Sequence, residues 1–143
     1  MDLTHAIALA EQAHQGQVDK AGKPYIEHPL RVMGSMHSEM ERIVGVLHDA
    51  IEDSDLTLAQ LVDAGFGAQI VAAIDAITKR EGEAYETYLE RVIANPIALR
   101  VKIADMSDNM NMARIIEPTQ KDWQRLEKYR EILPKLQAAL QKC

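Results

Sequence analysis

The residues of this chain with the clearest chemical potential lie in the segment HDAIED, residues 48–53. On a helix, His48 and Glu52 are four residues apart and share one face. Asp49 and Asp53 have the same spacing. Ionising several neighbouring carboxylates costs free energy because the charges repel one another and lose solvent, and a bound cation offsets that cost. Either these side chains bind a metal ion, or the helix ends near Asp49 and the acids are solvated, an arrangement that the helix macrodipole slightly disfavours.

Two other segments could complete such a site. In VKIADMSDN, residues 101–109, Asp105, Asp108 and Asn109 are predicted to share one side of a helix. Taken alone, this pattern is more typical of an ordinary exposed face, but it offers a carboxylate from a distant part of the chain. His28 ends the segment KPYIEHP and precedes a proline that can start a helix. His5, His14 and His37 have no such context and are interpreted as structural or exposed.

The hydrophobic periodicity predicts helices throughout the chain. A loop rich in Gly and Pro separates the first helix from the second, and the third is apolar nearly all round, which predicts a central position. Thr57 and Gln60 form a possible capping box, and Pro134 is expected to kink or divide the last helix. We predict an all-α fold in which residues 1–143 form one compact domain of seven or eight helices. The predicted helices cover residues 3–15, 30–39, 40–52, 58–64, 68–78, 84–94, 96–114 and 121–141.

Composition excludes several classes of protein. Sixteen basic and 22 acidic residues give a net charge of -6, which argues against binding to a nucleic-acid duplex but permits a small phosphorylated ligand. The only cysteine is Cys143, so we expect neither a disulfide framework nor a cysteine-based zinc site. The N-terminus does not resemble a signal peptide and no apolar run has membrane-spanning length, so a cytoplasmic protein is expected.

Four motifs in order resemble the HD superfamily, and more closely the hydrolase domain of RelA/SpoT proteins and the small alarmone hydrolases. The resemblance covers about residues 4–115. The motifs are AHQGQVDKAGKPYIEHP (13–29), LHDAIEDS (47–54), FGAQIVAAIDAITK (66–79) and VKIADMSDN (101–109). The fold that this resemblance implies is a compact HD-domain helical bundle.

The resemblance implies a site residue by residue. Its metal ligands would be His28, His48, Asp49 and Asp105. The implied ion is divalent, and the family's usual choice is manganese. Two imidazoles and two carboxylates suit such an ion and leave positions for water and substrate.

The same resemblance assigns the catalytic residues. Glu52 and Asp53 match the acidic pair that organises and activates the attacking water, and Asn109 matches an asparagine near the metal and the scissile phosphate. The implied activity is metal-dependent removal of the 3′-pyrophosphate from a nucleotide similar to (p)ppGpp.

One departure concerns the substrate. The family has an arginine that packs on the purine base where this chain has Asp19, and a carboxylate cannot replace a stacking guanidinium. Lys20 is retained and, with Tyr25, is a candidate substrate contact. Thr78 and Lys79 are further candidates, with Arg80, Tyr85 and Tyr88 beside them. The alternative for these later residues is a solvated turn followed by ordinary helix packing.

Two other functions remain open at this point. The first is an HD hydrolase that acts on another nucleotide or on a phosphomonoester, which Asp19 favours. The second is a module that senses a nucleotide without hydrolysing it, which the retained Glu52, Asp53 and Asn109 disfavour. The expected partner in each case is a small nucleotide. The methionines Met106, Met110 and Met112 indicate either a homodimer contact or the core side of a helix.

Overall fold

The computed structural model describes residues 1–142, and Cys143 lies outside the described residues. Within this part of the chain the structure is helical, which confirms the predicted all-α class. One isolated backbone bridge joins Val18 to Pro24. The helices are α1 (Leu3–Ala13), α2 (Glu27–Gly34), α3 (Glu39–Leu47), α4 (Ala50–Asp53), α5 (Leu58–Asp63), α6 (Ala68–Ile77), α7 (Tyr85–Ile93), α8 (Pro96–Asn109) and α9 (Gln120–Gln141), with a 3₁₀ turn at Met112–Arg114.

Helix α3 lies at the centre of the molecule, as its apolar sequence predicts. It packs against α1, α2, α6 and α8, and its residues 43–47 are all buried. Val44, Val46 and Leu47 are 0% exposed. Burying side chains of this kind stabilises a fold by roughly 1.5–3 kcal/mol each. The helix that leads to His48 is therefore fixed by the core.

The predicted continuous helix over residues 40–52 is wrong in one respect that matters for the site. Helix α3 ends at Leu47, and α4 begins at Ala50 after a turn at His48 and Asp49. Successive side chains on a regular helix point about 100° apart, so the side chains of two neighbours diverge. The turn allows both His48 and Asp49 to face the same centre.

Several helix ends follow the sequence signals. Thr57 and Gln60 form the predicted capping box of α5, and Pro96 occupies the first turn of α8. Helix α2 starts at Glu27, three residues earlier than predicted, so His28 belongs to this helix rather than to the loop before it. Met106 is fully buried, which identifies it as a core residue rather than a surface contact.

Of the two outcomes expected at Pro134, a kink or a division of the last helix, the division does not occur. Helix α9 continues through Pro134 as one element. Proline removes one backbone donor, but Leu126 and Leu136 are buried on either side of it and anchor both halves of the helix. Within residues 1–142, no helix combines the length and apolar character needed to cross a bilayer.

The loop between α1 and α2 is ordered by its own hydrogen bonds. Gly16 and Gly22 have positive φ angles of 81° and 78°, which glycine adopts without a steric penalty. The backbone N–H of Asp19 donates to the carbonyl of Lys23 at 2.8 Å, and the N–H of Tyr25 donates to the carbonyl of Gln17 at 2.9 Å. These bonds fold residues 17–25 back on themselves and direct the chain into α2.

Candidate metal centre and adjoining cavity

Four predicted ligands converge from three separated parts of the chain. His28 comes from α2, His48 and Asp49 from the turn between α3 and α4, and Asp105 from α8. One potential ligand atom from each residue lies within 4.8 Å of the others. His28, His48 and Asp105 are 4%, 2% and 5% exposed. The arrangement is a group that could bind a metal ion.

The distances show which atoms face the centre. Oδ1 of Asp105 lies 2.8 Å from Nε2 of His28 and 3.1 Å from Nε2 of His48. Oδ2 of Asp49 lies 3.0 Å from Nε2 of His48 and 3.7 Å from Nε2 of His28. Both imidazoles therefore present Nε2 to the two carboxylates.

The outer nitrogen of each imidazole has its own partner. Nδ1 of His48 donates to the carbonyl oxygen of Gly45 at 2.6 Å, so Nε2 is the ring nitrogen that faces the centre. Nδ1 of His28 lies 2.6 Å from Oδ2 of Asp108. Histidines that bind metals are generally oriented in this way by a carbonyl or a carboxylate. The residues present thus fit a divalent cation in donor type, burial and orientation.

The charges of the cluster also favour a cation. Burial opposes ionisation of Asp105, but the charges of Lys102 and His48 hold its pKa well below the usual value. Burial alone would lower the pKa of His48, and the charges of Asp49 and Asp105 instead raise it well above the usual value. Two carboxylates in this enclosed position stabilise positive charge at the centre between them.

Asp108 connects the cluster to basic side chains. Its carboxylate accepts hydrogen bonds from Nε and Nη2 of Arg31 at 2.8 and 3.0 Å. Nη2 of Arg114 lies 3.2 Å from Oδ2 of the same carboxylate. The hydrogen bonds to Arg31 and His28 outweigh burial and lower the pKa of Asp108. Sequence analysis placed Asp108 near Asp105 but did not identify this role, because its partners lie 77 and 80 residues away.

The predicted catalytic residues lie around the cluster with different partners. Nδ2 of Asn109 donates to Oδ1 of Asp105 at 3.1 Å. Oε1 of Glu52 accepts from the backbone N–H of Lys79. Desolvation raises the pKa of Glu52 despite that bond, and desolvation with the charge of Asp49 raises the pKa of Asp53. Both acids are thereby better proton acceptors than ordinary carboxylates.

The predicted substrate contacts separate into two groups. Tyr25 and Lys20 line a cavity beside the cluster. The Tyr25 hydroxyl donates to Oδ2 of Asp49 at 2.6 Å, and Lys20 forms an ion pair with the buried Asp122 of α9. Neither Thr78 nor Lys79 lines this cavity.

The side chains of Thr78 and Lys79 form hydrogen bonds within their own segment. The Thr78 hydroxyl donates to the carbonyl of Ile74, and Nζ of Lys79 donates to the carbonyl of Arg80. The nearby Tyr88 is buried, and its hydroxyl donates to the carbonyl of Ile77, a packing role that sequence analysis had left open.

The cavity has a volume of about 350 Å³ and reaches the cluster at His28 and Asn109. Its basic lining residues are Lys20, Arg31, Arg114 and Arg125. Asp19 also lines it. Oδ1 of Asp19 accepts from the backbone N–H groups of Ala21 at 2.9 Å and Lys23 at 3.0 Å. These bonds direct that oxygen to the loop's own backbone. Lys20 pairs with Asp122, and Arg31 and Arg114 pair with Asp108, so these carboxylates offset part of the positive charge that the cavity offers to an anion.

A second cavity, of about 700 Å³, opens next to Asp53. Leu9 and Leu56 supply apolar walls, and Gln12 supplies an amide. Asp53 lies in the lining of this cavity but not in that of the basic cavity. The two cavities therefore have different linings, and Asp53 belongs to that of the second.

Comparison with known proteins gives a consistent result. The sequence model of a family described as HD domain matches residues 6–135. A guanosine-3′,5′-bis(diphosphate) 3′-pyrophosphohydrolase of Vibrio cholerae is 33% identical over 135 residues, which cover 83% of this chain and 19% of the relative. A GTP pyrophosphokinase of Myxococcus xanthus is 32% identical over 123 residues, which cover 73% of this chain and 16% of the relative.

A solved structure has a similar fold. It is described as a metazoan ortholog of SpoT that hydrolyses ppGpp, and it superposes with a TM-score of 0.77 at 19% identity, covering 98% of this chain and 92% of that chain. In contrast, the chain spans about a fifth or less of the length of the curated relatives above. The assignment of residues 1–143 to one domain stays a prediction.

Proposed function

The chain belongs to the HD domain family, as its four motifs predict, and on this premise we propose that it is a metal-dependent phosphohydrolase acting on a nucleotide. The favoured reaction is removal of the 3′-pyrophosphate from a nucleotide similar to (p)ppGpp. The observation that carries the proposal is the convergence of four potential metal ligands beside a basic cavity. The relatives named as ppGpp 3′-pyrophosphohydrolases support this choice of substrate.

His28, His48, Asp49 and Asp105 would bind a divalent cation, for which we propose manganese. When bound, that cation would lower the pKa of a water molecule and offset the charge that develops on the phosphoryl oxygens. The outer partners, Asp108 and Gly45, keep the two imidazoles turned toward the centre.

The surrounding residues perform the remaining steps. Asp53, whose pKa is raised, accepts the proton released by the attacking water. Glu52 fixes the segment at Lys79 and orients the water. Nδ2 of Asn109 bonds Asp105 and lies at the cavity, where the amide can also donate to a phosphoryl oxygen. The basic side chains of the cavity hold the phosphates of the substrate in place.

A second substrate class is favoured by one specific observation. Asp19 lines the cavity at the position where the family places a base-stacking arginine. Loss of that contact favours a different base, or a nucleotide whose phosphates supply most of the binding energy. We therefore propose, as the alternative, hydrolysis of another nucleotide or of a phosphomonoester by the same residues.

The test compares the wild type with Asp49→Ala, with Mn²⁺ and a panel of ppGpp, ppApp, dinucleotides and nucleoside phosphates. We expect the wild type to release pyrophosphate from ppGpp, and the variant to lose both Mn²⁺ binding and turnover. Turnover of another panel member without turnover of 3′-pyrophosphates would select the alternative substrate. Full activity of the variant without metal would refute the metal-dependent reaction.

A further inference from the structure

His14 differs from the other histidines outside the cluster. It lies at the end of α1 and is 2% exposed, whereas His5 and His37 are exposed. Sequence analysis interpreted all three as structural or exposed. The environment of His14 links it to the candidate metal centre.

Gln17 fixes the ring of His14 in one tautomer. Nε2 of Gln17 donates to the carbonyls of Ala13 at 3.3 Å and Asp53 at 2.8 Å, which leaves Oε1 as an acceptor. Nδ1 of His14 lies 2.8 Å from that oxygen and therefore carries the proton. The same glutamine side chain thus joins α1 to the last residue of α4.

The other ring nitrogen of His14 has no hydrogen-bond partner although it is buried. A buried acceptor without a partner destabilises the folded state. Stability alone therefore does not account for an imidazole at this position. The reason for an imidazole at position 14 must therefore lie in the residues that its ring contacts.

The His14 ring lies against Tyr25, with ring centroids 4.9 Å apart and an angle of 48° between the planes. The hydroxyl of that tyrosine donates to Oδ2 of Asp49, the oxygen that faces the two histidines of the cluster. Tyr25 also lies 5.7 Å from the ring of His28. Tyr25 can orient the carboxylate of Asp49 only if its own ring is held in place, and the ring of His14 lies against it.

We propose that His14 is a positioning residue for the candidate metal centre, fixed by Gln17 and acting through the Tyr25 hydroxyl on Asp49. The proposal rests on the proposed metal-dependent function and adds residues of the first loop to the cation site. Partners of this kind orient the ligands, and their loss typically weakens metal binding about 10- to 100-fold. The role of His14 is visible in Mn²⁺ affinity independently of any substrate.

The test is a double-mutant cycle on Mn²⁺ affinity, measured by titrating the full chain with Mn²⁺ alone. Tyr25→Phe removes only the hydroxyl, and we expect Mn²⁺ to bind about 10- to 100-fold more weakly. His14→Asn retains a donor for Gln17 but removes the ring, and we expect a smaller loss, of about 3- to 10-fold, because the hydroxyl remains. We expect the double variant to bind Mn²⁺ no more weakly than Tyr25→Phe alone.

The exposed His5→Asn, on the same helix, is the matched control and should leave Mn²⁺ affinity unchanged. Wild-type affinity in folded His14→Asn, or losses that add in the double variant, would overturn the proposal. If His14→Asn does not fold, His14→Phe replaces it, since it keeps a ring against Tyr25. That variant keeps a ring but loses the hydrogen bond to Gln17 that fixes it, so we expect Mn²⁺ to bind about 3- to 10-fold more weakly than in the wild type. Wild-type affinity in this variant would overturn the proposal.

These outcomes are separable from the fate of the proposed function. A wild type that fails to bind Mn²⁺ overturns both proposals. A wild type that binds Mn²⁺ and shows the expected coupling, but hydrolyses no member of the nucleotide panel, supports the role of His14 and contradicts the hydrolase.

Discussion

Asp108 illustrates how much of the site depends on single side chains outside the predicted ligand set. It lies against Nδ1 of His28 and also pairs with Arg31 and Arg114. Each contact neutralises part of its charge, and the contact with His28 fixes which ring nitrogen faces the centre. A ligand's orientation therefore depends on a carboxylate that is not itself a ligand.

The first prediction concerns this carboxylate. Asp108→Ala removes the partner of the His28 imidazole and should weaken Mn²⁺ binding about 10- to 100-fold. Isothermal titration with Mn²⁺ measures the effect. Ser107→Ala is the neighbouring control, because Ser107 is exposed and its hydroxyl donates to the carbonyl of Ile103 on its own helix. Equal Mn²⁺ affinity in Asp108→Ala and the wild type would show that His28 needs no such partner.

The two histidine ligands are brought together where helix α3 passes close to helix α2. Helices α2 and α3 pack against each other, and α3 approaches α2 at Gly45. A Cβ atom at Gly45 would lie 3.3 Å from Cα of Met33. Since that atom belongs to backbone, it cannot move without moving α2. The carbonyl of Gly45 also orients His48, so this approach affects both histidines.

The second prediction follows at the scale of the helices. Gly45→Ala should destabilise the protein by about 1 kcal/mol, because the overpacking cost of about 1–3 kcal/mol exceeds the roughly 1 kcal/mol gained in helix propensity. Urea unfolding measures this, and Mn²⁺ titration should show weaker binding. Gly34→Ala is the matched control, since a Cβ at Gly34 meets nothing within 4 Å. A stabilised Gly45→Ala variant would show that α2 shifts without cost.

At the scale of the whole molecule, the first loop is tied to the last helix. Lys20 pairs with Asp122, which is buried and also belongs to the capping box that starts α9. Helix α9 in turn packs on α8, which carries Asp105. The loop that lines the cavity and the helix that lies over the ligand-bearing helix are thus connected by an ion pair between residues 102 positions apart.

The third prediction uses the pH dependence of this ion pair. The bond from Lys20 lowers the pKa of Asp122 to about 2. A depressed folded-state pKa stabilises the protein above the unfolded value of about 3.9, and this stabilisation is lost as the pH falls toward 2. Asp122→Asn should therefore flatten the decline in the free energy of unfolding between about pH 4 and 2.

Urea unfolding at several pH values measures that slope. The exposed Asp63→Asn should leave the decline as steep as in the wild type. Glu83, whose pKa Arg91 also lowers to about 2, contributes to the same acid range and remains in both variants. An unchanged slope in Asp122→Asn would mean that the Lys20 ion pair contributes nothing measurable.

The sequence by itself determined the helical class, the central position of α3 and the residue types of the candidate site. Apolar residues at helical spacing specify buried helix faces, and Thr57 with Gln60 specifies a cap, because these signals act over a few residues. The order of the motifs predicted that His28, His48 and Asp105 belong to one site, and the structure brings them together.

Only the tertiary structure decided how these residues are used. The sequence left open whether the helix ends near Asp49, and it did not predict that a turn there directs both His48 and Asp49 to one centre. The pairing of Lys20 with α9 and the contact of Tyr25 with Asp49 were not predicted either. Each depends on the distance between groups that lie far apart in sequence, or on a local departure from helical geometry that packing stabilises. Periodicity along a chain reports which face of an element is buried, and it carries no information about which distant side chain meets that face.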